Sequence, residues 1–332
     1  MKEKNKGFTL VELLAVIVIL ALIALIATPI ILNVINDAKK QAAKDSAYGY
    51  MDAVEKYIVS SELEDKSIKD GTYSVEDLNS MGVSVKGSIP DNGTIKIESK
   101  TVKSYDIGID GYAVSNGEVK KVSTTKSFKN GTAVYYNPVF GEKCSESESK
   151  STTGTKSGCM KWYVFNDKEG NATVNVILDH NTTAGVAYNS TGSNSEMKEV
   201  KIKLEEDTKD WKKTARLITA NEVAKITENT GFDASTENQD WFYLDSNNQT
   251  QIASSTNKSK YAWLFDYTNE CTNYGCNKPD SSNWGYWTST SYKDNSTYAW
   301  HVYRVGSLYN YYVFDNAIGV RPVITISKSN IS

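Results

Sequence analysis

The feature that most constrains this chain is a long uncharged segment near its N-terminus. From Leu13 to Asn36 no residue carries a charge, and Leu, Ile, Val and Ala dominate the run. As a helix, such a run is long enough to cross roughly 30 Å of hydrocarbon. Lys2, Lys4 and Lys6 precede it, and an excess of positive charge stays on the cytoplasmic side. The sequence therefore predicts a single-pass membrane protein whose C-terminus lies outside the cell.

One acid, Glu12, stands at the start of this apolar run and requires an explanation. A carboxylate at the centre of a bilayer helix costs roughly 2.5–3.5 kcal/mol on insertion scales. A secretory signal peptide would have a shorter apolar region, followed by a cleavage site of small residues. A plain signal anchor has a suitable length but leaves Glu12 unexplained. A glutamate that snorkels to the interface from near the helix end is the third alternative.

The residues around Glu12 resemble a known processing signal. The stretch Gly7-Phe8-Thr9-Leu10-Val11-Glu12, with Pro29 further along, is similar to the class III signal of type IV prepilins and pseudopilins. The resemblance implies that a prepilin peptidase cleaves after Gly7 and that the new amino group of Phe8 is methylated. It also implies that Glu12 pairs with the Phe8 amine of a neighbouring subunit, and two buried charges are easier to tolerate when they are paired.

The resemblance assigns roles to the N-terminal segments and names the expected partners. Residues 1–7 would be the leader, and residues 8–36 the transmembrane and assembly helix. The implied partners are prepilin peptidase, other pilin subunits and the membrane. The subunit would first reside in the cell membrane and then in an extracellular filament. A type II secretion or competence pseudopilin is the close alternative, and a surface-delivered enzyme is the more distant one.

Residues 37–122 are predicted to form a pilin-like globular domain. The helix continues past the membrane segment with an intermittent apolar face at Ala38, Ala42, Met51, Val54 and Ile58. Four short alternating runs follow, at 94–98, 105–109, 112–114 and 118–122. The pairs Asn92-Gly93, Asp110-Gly111 and Asn116-Gly117 predict hairpin turns. Ser74 and Asp77 indicate the start of a short helix, and Gly82 its end. This domain is interpreted as structural.

The composition changes in the C-terminal half, where all seven Trp residues lie. The polar stretch 123–131 is interpreted as a linker and 132–328 as a second, strand-rich domain, in which Thr219 and Glu222 form a capping box before a short helix. The segments RLITANEVAKI, GYWTSTS, YAWHVYRVG and GVRPVITI resemble a bacterial extracellular domain with a layout like that of C-type lectins and formylglycine-generating enzymes. The expected fold class is α+β: a long transmembrane helix with a small antiparallel pilin sheet, followed by a C-type-lectin-like domain.

Four cysteines lie in this second half, at positions 144, 159, 271 and 276. An even number in an exported chain favours two disulfides, and proximity favours Cys144–Cys159 and Cys271–Cys276. A four-cysteine zinc site is the alternative, but the two pairs lack the usual short ligand spacing. A redox pair at Cys271 and Cys276 would be expected to have the C-x-x-C spacing, which is absent.

The sequence predicts binding rather than catalysis. Asp179-His180 is the only Asp-His neighbour pair, and no G-x-S-x-G motif is present. We predict no catalytic residue, metal or cofactor, and a net charge of -3 gives no reason to expect nucleic acid as a partner. Aromatic rings can stack on sugars, so a glycan or cell-surface ligand is expected on the aromatic run around Trp284, Tyr286, Tyr309 and Tyr311. The alternative is that most of these rings form the domain core.

Overall fold

The computed structural model describes most of the chain. The described residues are 10–63, 68–122, 127–149, 158–183, 185–244, 260–265, 284–304 and 306–331. The predicted cleavage site at Gly7 and Phe8 lies outside these residues, as does the predicted Cys271–Cys276 disulfide.

Helix α1, Leu10–Leu63, dominates the N-terminal half. Its 54 residues extend over about 80 Å, because an α-helix rises about 1.5 Å per residue. Pro29 lies inside the helix, where it lacks the N–H that would bond to the preceding turn. The apolar run predicted as a membrane segment is thus the first half of a longer helix, and the second half packs onto a folded domain.

The second half of α1 buries one stripe of side chains. The buried stripe consists of Ala43, Ala47, Tyr50, Met51, Val54 and Ile58. Spacings of three and four residues place these side chains on one helical face. The predicted apolar face agrees with this stripe from Met51 onward. It is wrong at Ala38 and Ala42, which are exposed because they fall outside the spacing of the stripe.

The stripe on α1 packs against a five-stranded antiparallel sheet in the order β1-β2-β3-β4-β5. Its strands, with helix α2 after the first, are β1 Gly71–Ser74, α2 Val75–Met81, β2 Asn92–Glu98, β3 Thr101–Ile109, β4 Tyr112–Ser115 and β5 Glu118–Lys121. The four predicted strand runs correspond to β2–β5. Strand β1 is absent from the prediction, because four residues are too few to show alternation and its pairing with β2 defines it.

Two of the three predicted hairpin turns form as expected. Asp110-Gly111 and Asn116-Gly117 have positive φ at both positions, which a tight hairpin turn requires. Asn92-Gly93 was assigned a turn wrongly, since both residues lie inside β2. The turn between β2 and β3 is instead made by Ser99 and Lys100, both with positive φ. Gly93 is needed in the strand because the backbone of Asp106 leaves no room for a side chain.

Helix α2 begins and ends where its sequence predicts. The backbone N–H of Asp77 donates to Ser74 Oγ at 3.0 Å, and the N–H of Ser74 donates to the Asp77 carboxylate at 3.2 Å. These two hydrogen bonds form a capping box. Gly82 then closes the helix with a φ of 112°, a conformation that favours glycine.

The C-terminal half contains two more five-stranded sheets. The second sheet is antiparallel in the order β15-β9-β8-β6-β7, with β6 Ala133–Asn137, β7 Glu142–Lys143, β8 Met160–Phe165, β9 Thr173–Leu178 and β15 Val323–Ser327. The third has the order β10-β13-β12-β11-β14, with β10 Phe242–Tyr243, β11 Gly285–Ser291, β12 Tyr298–Tyr303, β13 Ser307–Tyr312 and β14 Ile318–Gly319. Only the β11–β14 pair of the described strands is parallel.

Short helices and a disulfide complete the C-terminal half. The helices are α3 Glu146–Ser149, α4 Glu199–Thr208, α5 Ala220–Ile226, α6 Ala262–Phe265 and a terminal 3-10 helix Lys328–Asn330. The capping box of Thr219 and Glu222 forms as predicted at the start of α5. Cys144 and Cys159 form the predicted disulfide, with a Cα–Cα distance of 6.0 Å. The described half is therefore α+β, as expected.

Polar contacts join the two halves of the chain. Asn92 Nδ2 on β2 donates to the Thr173 carbonyl on β9 at 2.8 Å. Lys225 Nζ on α5 lies 2.6 Å from the Glu76 carboxylate on α2. The last residues of the predicted linker also belong to the C-terminal half, because the Gly131 N–H donates to the Val164 carbonyl at 2.8 Å. The second half thus packs directly against the pilin-like sheet.

Candidate functional site

The first candidate site is the N-terminal half of α1. The large apolar side chains that the structure describes there are exposed, from Leu10, at 81%, to Ile35, at 43%. Among the described helices, α1 alone is long and apolar enough to cross a membrane. An exposed apolar surface of this extent is unfavourable in water, so lipid or another protein is expected to cover it.

Glu12 lies on this surface, in the first turn of α1. A carboxylate is favoured there because the N-terminus of a helix carries a partial positive charge. In sequence Glu12 is four residues from Phe8, whose amino group would be free after cleavage at Gly7. The structure thus places the acid at the helix end from which a processed terminus would extend.

The second candidate site is a cluster of aromatic rings on the third sheet. We call it the aromatic face, and it consists of Trp241, Tyr243, Trp284, Tyr303, Tyr309 and Tyr311. All six side chains are partly exposed, with Trp241 exposed at 42%. Neighbouring rings are in contact, with centroids 5.4 Å apart for Trp241 and Tyr309 and 5.2 Å apart for Trp284 and Tyr311.

Strand register produces the aromatic face. Tyr309 and Tyr311 are two residues apart on β13 and therefore point to the same side of the sheet. Tyr309 pairs with His301 on β12, and Tyr243 on β10 pairs with Ser307 on β13. Directly opposed residues of antiparallel strands share a face. The rings of Tyr243, Tyr303, Tyr309 and Tyr311 therefore meet because three adjacent strands alternate in phase. Trp241 and Trp284 lie just before β10 and β11 and contact these rings from outside the strands.

His301 lies buried beneath the aromatic face, at 1% exposure. Its ring is surrounded by those of Trp287, Tyr303, Tyr309 and Tyr311, at centroid distances of 5.9, 5.7, 6.1 and 5.8 Å. Burial lowers the pKa of His301 to about 3, although the backbone of Tyr309 opposes the shift. Neither ring nitrogen makes a hydrogen bond of ordinary geometry with a described residue. His301 is therefore neutral at physiological pH and is unsuited to acid–base catalysis.

Three of the four residues predicted to contact a ligand lie on the aromatic face, and the fourth does not. Tyr286 is fully buried on the opposite side of the sheet. Its hydroxyl donates to the Leu264 carbonyl, and the Arg321 guanidinium lies 5.0 Å from its ring centroid. Tyr286 is a core residue because β11 turns Trp287, and not Tyr286, to the side of His301. Trp241, Tyr243 and Tyr303 were missed, since no local pattern aligns separate strands.

The Asp179–His180 pair forms a direct contact between neighbouring side chains. Asp179 Oδ1 contacts His180 Nδ1, and both side chains are largely buried. Within the described ranges, His180 makes no hydrogen bond to a Ser, Thr or Cys side chain that could serve as a nucleophile. The same ranges contain no group of three or more His, Cys, Asp or Glu residues that could hold a metal ion.

Comparison with known proteins finds one relationship, at the N-terminus. Residues 2–28 match the family model described as the prokaryotic N-terminal methylation motif. No curated protein and no solved structure matches the chain.

The matched motif supports the type IV pilin signature over residues 2–28, the range in which Gly7, Phe8 and Glu12 lie. It suggests a protein of the type IV pilin or pseudopilin kind, and implies processing by prepilin peptidase and pilin assembly in general terms. Together with the apolar half of α1, the motif is consistent with anchoring in a membrane.

Proposed function

We propose that this chain is a type IV pilin-like filament subunit that is cleaved after Gly7 and displays a ligand-binding domain at the cell surface. The proposal rests on the difference in side-chain exposure between the two halves of helix α1. The described apolar side chains in the first half of the helix are exposed, and the second half packs its buried stripe against a small antiparallel sheet. A subunit built in this way can reside in lipid through the first half and later bury that half against other subunits.

The second part of the proposal is that the C-terminal domain is a lectin-like adhesive module. The resemblance of its sequence to lectin-like surface domains supports this assignment, as does the aromatic face. Rings that lie side by side and are partly exposed offer flat apolar surfaces for stacking against the apolar face of a sugar. Binding is favoured over catalysis because the histidine beneath these rings is buried and neutral.

Processing is the first prediction. Mass spectrometry of the purified chain is expected to find Phe8 as the N-terminal residue, with a methylated amino group. A Gly7→Leu variant is expected to remain uncleaved, because the peptidase would no longer have the small residue at the cut. A Lys6→Leu variant, changed next to the cleavage site, is the matched control and should still be cleaved. An N-terminus at Met1, or one beyond Asn36, would contradict the proposal.

Ligand binding by the aromatic face is the second prediction. Cells that carry Trp284→Ala or Tyr309→Ala subunits are expected to adhere about tenfold less well, which corresponds to about 1.4 kcal/mol. Loss of an exposed ring removes stacking area, whereas the strands themselves retain their hydrogen bonds. Adhesion to host or bacterial cells, and binding of the detergent-purified chain to a glycan array, are the measurements.

Tyr312→Ala is the matched control for this experiment. Tyr312 is exposed at 41% and adjoins Tyr311, but points to the opposite side of β13. It should leave adhesion unchanged if the aromatic face is the binding surface. Equal effects of all three substitutions, or normal adhesion by the Trp284 and Tyr309 variants, would show that binding, if any, occurs elsewhere.

A further inference from the structure

Lys328 and Asp167 form a buried pair in the C-terminal half. Their side chains are exposed at 2% and 0%, and Lys328 Nζ lies 2.8 Å from Asp167 Oδ1. Lysine and aspartate are among the residues most rarely buried in full. Removing an ammonium and a carboxylate from water carries a large desolvation cost, which the attraction between them offsets only in part. Packing alone therefore does not account for the burial of these two charged groups.

The pair lies where the beginning and the end of the C-terminal half meet. Asp167 follows β8 and Lys328 follows β15, and these two strands flank β9 in the second sheet. Asp167 Oδ2 also accepts a hydrogen bond at 2.8 Å from the backbone N–H of Phe128. Phe128 lies just before β6, the first strand of this half. The Asp167 carboxylate thus contacts a residue that precedes the first strand of the C-terminal half and a residue that follows β15.

The contact between the two groups is close, but it is not a hydrogen bond of ordinary geometry. Although Nζ is close to Oδ1, that oxygen accepts no hydrogen bond of ordinary geometry from the residues described. Lys328 Nζ instead donates to the carbonyl of Lys168 at 3.0 Å. Transfer of one proton within the pair would give the amine and the acid that condensation to an amide requires.

Asp91 supplies a second carboxyl group near the pair. Desolvation, followed by the negative charge of Asp110, raises the pKa of Asp91, while the positive charges of Lys168 and Lys328 oppose the shift. Lys328 is therefore within electrostatic range of Asp91. Asp91 also lines a cavity of about 520 Å³ together with Asn166 and Lys168, the two neighbours of Asp167 in sequence.

We propose that Lys328 and Asp167 condense to form an intramolecular amide bond. The neutral Nζ attacks Cγ of the protonated Asp167, the new C–N bond forms, and the C–OH bond breaks. Asp91 takes a proton from the nitrogen and returns it to the departing hydroxyl, so that one water molecule is released. No oxidant or other co-reactant is needed. Both buried charges disappear in the product.

This amide would give the C-terminal half a covalent link between strands that lie on either side of β9. It would prevent β15, the last strand, from being peeled away from β9 when the domain is pulled. The inference is independent of the proposed function, because it concerns only the chemistry of the folded chain.

Mass spectrometry of the full-length chain, purified in detergent, reduced and denatured, tests the proposal. The wild-type chain is expected to be lighter by one water molecule than its processed sequence requires. After proteolysis, a branched peptide should contain both Asp167 and Lys328. Lys328→Arg and Asp167→Ala chains should show their full sequence masses. Lys328→Arg retains the positive charge, so a folded Arg variant separates loss of the bond from loss of the fold.

Asp91→Asn tests the proton relay, and Asp110→Asn is its matched control. We expect the Asp91 variant to lose the branched peptide and the Asp110 variant to keep it. A wild-type chain with its full sequence mass and two linear peptides would overturn the amide bond. A branched peptide that persists in the Asp91 variant would overturn the role of Asp91.

Discussion

Replacing Glu12 with alanine is expected to leave membrane insertion intact or improved and to reduce incorporation into filaments about tenfold or more. Insertion should not suffer, because the substitution removes a carboxylate from an apolar helix, and a charged side chain within a membrane helix is costly. Assembly should suffer, because the Phe8 amine of a neighbouring subunit would lose its anionic partner. Hydrogen bonds to charged groups contribute about 1.5–3 kcal/mol, and about 1.4 kcal/mol corresponds to a tenfold change.

Two further variants are compared with Glu12→Ala: Glu12→Gln tests the charge, and Leu13→Ala is the control. Glutamine keeps the size of glutamate but removes its charge, so it should fail in assembly as alanine does. Leu13→Ala shortens the adjacent side chain on the same exposed surface and should assemble nearly normally. The measurements are the membrane content of each variant and its amount in sheared filaments. Filament yields for the Glu12 variants equal to that of the wild type would rule out the pairing.

Features that depend on a few neighbouring residues were predictable from the sequence. The capping boxes at Ser74 and Thr219 are local patterns, and each forms with the predicted partner. Proximity along the chain identified the Cys144–Cys159 disulfide. The uncharged run of α1 was also visible, since a membrane-length helix is defined by composition and length.

Features that depend on pairing between distant segments were not predictable. Asn92-Gly93 has the composition of a turn, but pairing with β3 draws both residues into β2. Tyr286 and Trp287 are adjacent aromatic residues, and the sequence does not reveal which of them faces His301. Their orientation is set by the register of β11 against β12, so one residue of slip would exchange them. The position of a candidate ligand surface was therefore predictable only in part.

Buried ion pairs were even less predictable from the sequence. Glu222 was identified as the N3 residue of a capping box, which accounts for only part of its contacts. Its carboxylate also accepts two hydrogen bonds from the guanidinium of Arg216, at 2.7 and 2.5 Å. Arg216 lies outside α5, on a segment that bridges to β15. Charged residues are normally exposed, so composition alone argues against this arrangement.

Breaking the Arg216–Glu222 pair is expected to have the largest effect on stability. The two side chains are exposed at only 2% and 4%. Removing one partner of a buried ion pair typically costs about 3–5 kcal/mol, because the remaining charge stays buried without compensation. Glu222→Gln and Arg216→Met should each lower the free energy of unfolding by about that amount. Tryptophan fluorescence during denaturant unfolding of the full chain can report it, since every Trp lies in the C-terminal half.

The double variant and a surface variant serve as controls. Arg216→Met combined with Glu222→Gln leaves no uncompensated charge, so its loss of stability should be smaller than the sum of the two single losses. Glu228→Gln breaks an ion pair with Lys260 whose side chains are exposed at 72% and 63%. Exposed pairs contribute little, so this variant should unfold as the wild type does. Equal effects of Glu222→Gln and Glu228→Gln would contradict the buried-pair account.

Asp77 on α2 adds a pH-dependent readout to the same experiment. Burial, followed by the negative charge of Glu222, raises the pKa of Asp77 from 3.8 to about 6. The folded state then binds more protons than the unfolded state between these two values, so Asp77 makes stability fall as pH rises through this range. In the Glu222→Gln variant, the remaining positive charge of Arg216 should lower the pKa of Asp77 and flatten that slope. An unchanged slope would mean that Asp77 and Glu222 do not interact across the contact between the pilin-like and C-terminal halves.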